Sequence, residues 1–331
     1  MPSNRDLAQS RRAIETALAY CKARDAVLIV ADNSGDAAKK AHWKGRSSHL
    51  RYLETENFDA NGNFLATFHA AETPFVMPMG DDDELHHDAA VPAFDLSALP
   101  ADHIGVRPVT HVWLPETGKG RVKEFAISAK TPAQRILEYI DAAQGDNSAF
   151  YSIFRREPYL ALMELFIHHH PTKGGYCDWA LMAALMSYGR MALDRGTVFR
   201  YNFTGWSTKD EIDQRNSRLY TSAGLPADAA KYSALLLYLD LFVFTARKSP
   251  PTPEEHAGLN DLMGRVLAPF IREVGSVPRD YSETMVYLAE LAGQETDMMS
   301  RFHIALVMAN QIQDGLKDRY VEYYQRAVSG N

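Results

Sequence analysis

Phe75-Val76-Met77-Pro78-Met79-Gly80-Asp81-Asp82-Asp83-Glu84-Leu85 is the stretch around which the rest of the chain is arranged. Phe75 to Met79 reads as a short buried strand. Gly80 ends it, and three aspartates follow at once. Adjacent carboxylates repel one another, so a folded chain gathers them only in water or around a cation. Oxygen ligands of this kind suit a hard divalent ion, Mg²⁺ or Mn²⁺. In an open α/β sheet, ligands bind at the carboxyl ends of the strands, where this group falls. Taken alone, three aspartates also read as a solvated acidic turn capping the next helix. The residues upstream decide between the two.

Leu7, Ile14, Leu18 and Cys21 fall on one face at helical spacing, and Ser3 or Asn4 can cap that helix. Ala26 to Ala31 is a continuous apolar run suited to a central parallel strand. It stops at the turn Asp32-Asn33-Ser34-Gly35-Asp36. A short strand is expected around Arg51-Tyr52-Leu53, and a helix from Asn61 to Glu72. This alternation implies a parallel, doubly wound sheet with Asp32 and Asp81 to Asp83 at strand ends.

VLIVADNSGD, then a helix, then FVMPMGDDDEL resembles family-2 glycosyltransferases of the GT-A fold. That family has a proline and an Asn-Arg pair after its first strand, which Pro2, Asn4 and Arg5 match. It has an aspartate before a Ser-x-Asp turn, matched by Asp32, Ser34 and Asp36, and an Asp-x-Asp motif, matched by Asp81 and Asp83. Two features depart from the pattern. The family's first strand would fall ahead of Met1, and Asn61-Gly62-Asn63 is a loose substitute for its Ala-Arg-Asn-x-Gly helix.

The resemblance implies a nucleotide-sugar donor, with a UDP-sugar favoured, and a hydroxyl acceptor such as a glycan or a lipid-linked sugar. Asp81 and Asp83 would hold Mn or Mg against the diphosphate. Pro2, Asn4, Arg5, Asp32 and Asp82 would contact the nucleotide. An acidic residue opens a helix facing the acceptor in that family. Asp178 in Cys177-Asp178-Trp179 matches it and becomes the expected general base of an inverting transfer. Read on its own, Asp178 is also a natural N-cap for an apolar helix from Trp179 to about Leu193.

His86 to Asp102 reads as loop with a helical turn. Ile104–Trp113 and Arg121–Ile127 read as a hairpin-like pair around Pro115 to Gly120. Thr131-Pro132-Ala133-Gln134 opens a helix to about Ala143, and Ala149 to Phe154 reads as a strand ending in Arg155-Arg156. Glu157 to His169 is amphipathic and stops at Pro171, and Lys173-Gly174-Gly175 makes a loop. His168-His169-His170 is poor metal geometry, because consecutive helical residues do not point to one spot. From Lys209 the pattern turns helical: Lys209–Ala223, Ala227–Arg247, Thr252–Val274, Tyr281–Ala292 and Glu295–Ser329.

The expected architecture is therefore α/β: a GT-A-like doubly wound mixed sheet over residues 1–208, followed by a helical C-terminal region over 209–331. Those C-terminal helices also offer surfaces for a homo-oligomer. The net charge of −7 argues against a nucleic-acid partner, which would want a basic face. Cys21 and Cys177 show neither metal spacing nor a disulfide framework, and no signal peptide is visible, so a reducing cytoplasm is the expected setting. A nucleotidyltransferase would want a glycine-rich basic loop, which Pro2 to Asp6 lacks. A non-catalytic interaction protein with a degenerate nucleotide domain is the other alternative.

Overall fold

The computed structural model describes all residues except Glu116, 173–176, Ser207, 247–251 and 330–331. The described chain divides into two compact units. Met1–Ser128, Asp146–Met163 and Gly189–Thr204 form the first, and Ala129–Gly145, Glu164–Tyr188 and Gly205–Asn331 the second. Two earlier excursions thus join the C-terminal helices, where the sequence suggests a single cut at residue 208.

The first unit opens with β1 (Pro2–Ser3), α1 (Leu7–Ala23), β2 (Leu28–Asp32), α2 (Ala37–Trp43) and β3 (Leu50–Glu54). β2 lies between β1 and β3 in a parallel sheet, with Ser3 opposite Asp32 and Leu28 opposite Leu50. Pro2–Ser3 itself is thus a strand, where the sequence comparison put the first strand ahead of Met1. Because Ser3 is in β1, the cap of α1 passes to Asp6, whose carboxylate accepts from Gln9 N–H at 2.9 Å. The buried face of α1, including Ile14, Leu18 and Cys21, packs with Leu28 and Val30 of β2.

α3 (Ala60–His69) leads to β4 (Phe75–Val76), followed by β5 (Glu84–His87), β6 (His103–Trp113), β7 (Gly120–Lys123), β8 (Ile153–Arg155) and β9 (Arg190–Asn202). These make a second sheet in the order β4-β8-β6-β9-β5, with β7 on β6. Its pairings are antiparallel except β6 with β9. The α/β mixture is as expected, but the strands divide between two sheets instead of forming one doubly wound sheet.

Several element boundaries differ from the sequence expectation for local reasons. β4 stops at Val76, short of the expected Met79, because Pro78 has no N–H for the ladder. His86 and His87, expected to begin a loop, instead end β5, which pairs with β9. The strand expected at Ala149–Phe154 begins as a 3₁₀ turn at Ser148–Phe150 and becomes extended only at Ile153. The helix expected to reach Leu193 ends at Tyr188, and the chain becomes β9. A Cβ at Gly189 would lie 2.6 Å from Asp102 O, so only glycine passes that junction undisturbed. β9 itself was missed in the sequence because Asp194-Arg195-Gly196 interrupts it, at a register shift opposite Pro108 and Val109.

The second unit holds α4 (Pro132–Ala143), the later part of α5 (Arg156–His169), α6 (Cys177–Tyr188), α7 (Lys209–Ser222), α8 (Ser233–Ala246), α9 (Pro253–Ser276), α10 (Glu283–Gln294), α11 (Met298–Ile312) and α12 (Leu316–Ser329). No strand occurs among its described residues. Thr208 with Glu211 and Thr252 with Glu255 form reciprocal capping boxes on α7 and α9. The span Glu295–Ser329, expected as one helix, breaks at Gly315, which adopts φ +77°. α8 is apolar on all sides and central, with Leu235, Tyr238, Leu239 and Phe244 fully buried. Phe242 stacks on Phe302 of α11 at 3.9 Å between centroids. Arg135 of α4 donates to Met186 O and Ser187 O, satisfying carbonyls at the end of α6. No helix among the described residues is long and apolar enough to cross a membrane.

Candidate active site

The carboxyl ends of β1 and β2, together with the turn after β4, bring most of the sequence-derived site residues together in the first unit. Asp81 is buried and accepts four hydrogen bonds. They come from Ser3 Oγ at 2.8 Å, Asn4 N–H and Arg5 N–H at 3.2 Å each, and Arg5 Nε at 2.9 Å. Three of these donors fall on Oδ2 and one on Oδ1, so Oδ1 keeps an accepting site. Asp81 therefore fixes the course of residues 3–5 across the site. Arg5 also donates from Nη2 to Asp82 Oδ2 at 2.7 Å. Pro2 lies in β1, beside Ala31.

Asp32 ends β2 at 5% exposure. Its Oδ1 receives Lys39 Nζ at 2.8 Å and Ser34 N–H at 3.2 Å, and its Oδ2 receives the Tyr52 hydroxyl. Lys39 was not picked out in the sequence, yet it sits at the middle of the site with no exposed surface. Its ammonium donates to Ser3 Oγ at 2.6 Å, Arg5 O at 2.7 Å and Asp32 Oδ1 at 2.8 Å. All three donors are used. The helix that aims it inward is started by Asp36, which caps Ala38 and Lys39 and also accepts from Leu7 N–H at 2.8 Å. Leu7, with Lys39 and Ala38, holds the Asp36 carboxyl below its usual range. The signal that could have found Lys39 is its place in the first turn after the Ser-x-Asp cap.

Asp83 has a different environment. At 2% exposure, it accepts only from backbone, Asn202 N–H at 2.9 Å and Gly80 N–H at 3.2 Å. No ion pair reaches it among the described residues. Burial, with Asp82 and Asp81 alongside, pushes its carboxyl up to about 8. A Cβ added at Gly80 would lie 2.8 Å from Asp83 Oδ2 and 3.0 Å from Asp82 Oδ1. Two carboxylate oxygens therefore converge on the small space that glycine leaves. Asp82 is paired with Arg5, whereas Asp83 has no ion pair among the described residues; an all-oxygen group with one carboxylate uncompensated fits Mg²⁺ or Mn²⁺, which need only one or two protein carboxylates. Asp83, with Asp81 as the sequence suggests or with Asp82 at Gly80, would hold such an ion.

Asp178 belongs to the second unit, where it is exposed in the first turn of α6. The helix starts at Cys177, so Asp178 sits inside it instead of serving as its cap. Lys173 to Tyr176 lie outside the described residues. The three consecutive histidines diverge: His168 is exposed, whereas His170 is buried. Arg155 donates to His103 O, Leu99 O and Pro100 O, a structural use of this cation.

No protein-family model and no curated protein matches the chain. Among solved structures it is similar to the crystal structure of S. aureus TarS 1-349, at 14% identity and a TM-score of 0.41, covering 100% of this chain and 90% of that one. A likeness at that level leaves functional assignment to the residues of this chain.

Proposed function

We propose that the chain is a metal-dependent, inverting glycosyltransferase that moves a sugar from a nucleoside-diphosphate donor, by family analogy a UDP-sugar, to a hydroxyl acceptor. The observation that carries the reading is Asp83. It is a buried carboxylate with no ion pair among the described residues, converging with Asp82 at Gly80 just ahead of β5 and accepting from Asn202 N–H at the end of β9. The resemblance of Asn4, Arg5, Asp32 and the Asp81–Asp83 run to family-2 glycosyltransferases supplies the reaction class.

In this reading the end of β1 and the turn after it, Pro2 to Arg5, fixed by Asp81 and Lys39, receive the nucleotide. Asn4 is exposed there, and Arg5 is half-buried and able to face a diphosphate. Asp32 orders the base end through Lys39 and Tyr52. A divalent cation, when bound, supplies Lewis-acid stabilisation of the departing diphosphate. Asp178 takes the proton from the acceptor hydroxyl. The hydroxyl then attacks the anomeric carbon from the face opposite the diphosphate, which leaves as the new glycosidic bond forms.

Calorimetric titration with UDP, with Mn²⁺ or with EDTA, tests the donor half. Wild-type protein should bind UDP much more tightly with Mn²⁺. Asp83→Ala should lose most of that gain, and Asp213→Ala, an exposed change on α7, should keep it. Equal UDP affinity with and without metal, in protein shown to be folded by thermal melt, would reject the reading and favour a non-catalytic interaction protein.

A further inference from the structure

Arg5 reaches two of the three aspartates at once. Its Nε donates to Asp81 Oδ1 at 2.9 Å and its Nη2 to Asp82 Oδ2 at 2.7 Å. Both carboxylates that could join Asp83 in holding a cation are therefore engaged by one guanidinium. Asp83 itself, at 2% exposure, takes only the backbone N–H groups of Asn202 and Gly80. All of these residues belong to the first unit.

The main chain of Arg5 is anchored apart from its side chain. Its N–H donates to Asp81 Oδ2 at 3.2 Å, and its carbonyl oxygen accepts from Lys39 Nζ at 2.7 Å. The Arg5 side chain is 40% exposed and that of Asp82 35%, so water reaches their ion pair. The guanidinium head can leave the aspartates while the turn that carries it stays in place. Ion pairs screened by solvent are weak. A divalent ion carries twice the charge and sits nearer a carboxylate oxygen, at about 2.1 Å, than a guanidinium nitrogen does. It also repels a cation held on the same oxygens.

We propose that Arg5 is the exchangeable counter-ion of the aspartate cluster. It occupies Asp81 and Asp82 in the metal-free protein, yields them to a divalent cation, and then turns its freed N–H donors to the donor diphosphate. This deepens the glycosyltransferase reading and rests on its metal site. One residue thus opposes the metal and favours the nucleotide, which sets the order of binding, cation first. A bare diphosphate meets a guanidinium already engaged, beside carboxylates that repel it. Once the cation is seated, the planar fork matches phosphate oxygens bidentately.

Calorimetry on Arg5→Met, with MnCl₂ alone and then with UDP at saturating Mn²⁺, tests the exchange. Relief of competition should tighten Mn²⁺ binding by about three- to ten-fold, the worth of one or two solvent-screened ion pairs. Loss of a charge-assisted contact to phosphate should weaken UDP binding by about ten-fold or more. Opposite signs are the signature, since a residue that merely shapes the turn would weaken both. Arg5→Lys keeps the charge on a single ammonium in place of the fork and should shift both affinities in the same directions by less. It carries the comparison if thermal melts show Arg5→Met unfolded. Arg11→Met removes an equal charge at an exposed site on α1 and should move neither. Mn²⁺ affinity unchanged or lowered in a folded Arg5 variant, or UDP affinity unchanged, would overturn the proposal. Mn²⁺-dependent UDP binding by the wild type would then still support the reading beneath it. Wild-type protein that binds no Mn²⁺ would overturn both.

Discussion

Lys39 joins three oxygens from separate parts of the chain, and its removal would leave Asp32 buried without its cation. Breaking one partner of a buried pair typically costs about 3–5 kcal/mol. Lys39→Met should therefore lower unfolding free energy by about that much in urea titrations. Lys40→Met next to it removes only an exposed ion pair with Glu54, which solvent screens, and should leave the urea midpoint nearly unchanged. Equal losses would show that Lys39 is not the centre of the cluster. Gly80→Ala tests the carboxylate convergence: a side chain pressed against Asp82 and Asp83 should weaken Mn²⁺-dependent UDP binding while shifting the melting temperature little. The aspartates were legible because they are adjacent in sequence and follow a strand. Lys39 was not, because a lysine in a short polar helix reads as surface, and its partners arrive from residues 3, 5 and 32.

At the scale of elements, β7 is held to the turn before the 3₁₀ segment at Ser148–Phe150 by Asp146. Lys123 Nζ and Arg121 Nη2 approach it at 2.5 and 2.7 Å, and its side chain is 1% exposed. Burial pushes the Asp146 carboxyl up, but Lys123 and Ser148 outweigh it and hold it below the usual range. A carboxyl depressed on folding stabilises the protein above its unfolded value, about 3.9, and that stabilisation disappears as pH falls through the folded value. Asp146→Asn should accordingly cost about 3 kcal/mol at pH 7. Its deficit against wild type should shrink steadily in melts taken below about pH 4. A deficit constant from pH 7 to pH 3 would mean the charge is not what matters. Local signals located most helices, since caps such as Thr131, Thr208 and Thr252 lie beside the turns they start. β9 was hidden because its extended form depends on β6 and β5, far away in sequence, and not on its own alternation.

For the whole molecule, the proposed donor residues and the proposed base fall in different compact units. Pro2, Asn4, Arg5, Asp32 and Asp81 to Asp83 belong to the first, and Asp178 to the second. The division itself was only partly legible. A helical C-terminal region follows from the caps and apolar spacing, but the transfer of 129–145 and 164–188 to it depends on packing that no local pattern records. Asp240 shows the same limit: in sequence it is one charge in an apolar run, and only folding supplies His170 and Tyr320. The assignment of roles to units predicts that binding and turnover separate by mutation. Asp178→Asn keeps the size and exposure of the side chain and removes only its basicity, so it should fold and bind UDP with Mn²⁺ as wild type does. Its turnover should fall by about two to four orders of magnitude, the usual worth of a general base. Asp83→Ala should do the reverse at the binding step, abolishing the metal-dependent gain before any chemistry begins. The comparison needs both titrations and turnover on the same preparations. If Asp178→Asn turns over near the wild-type rate, the base lies elsewhere. If it loses UDP binding as Asp83→Ala does, the two residues do not divide the reaction, and the role given to α6 is wrong.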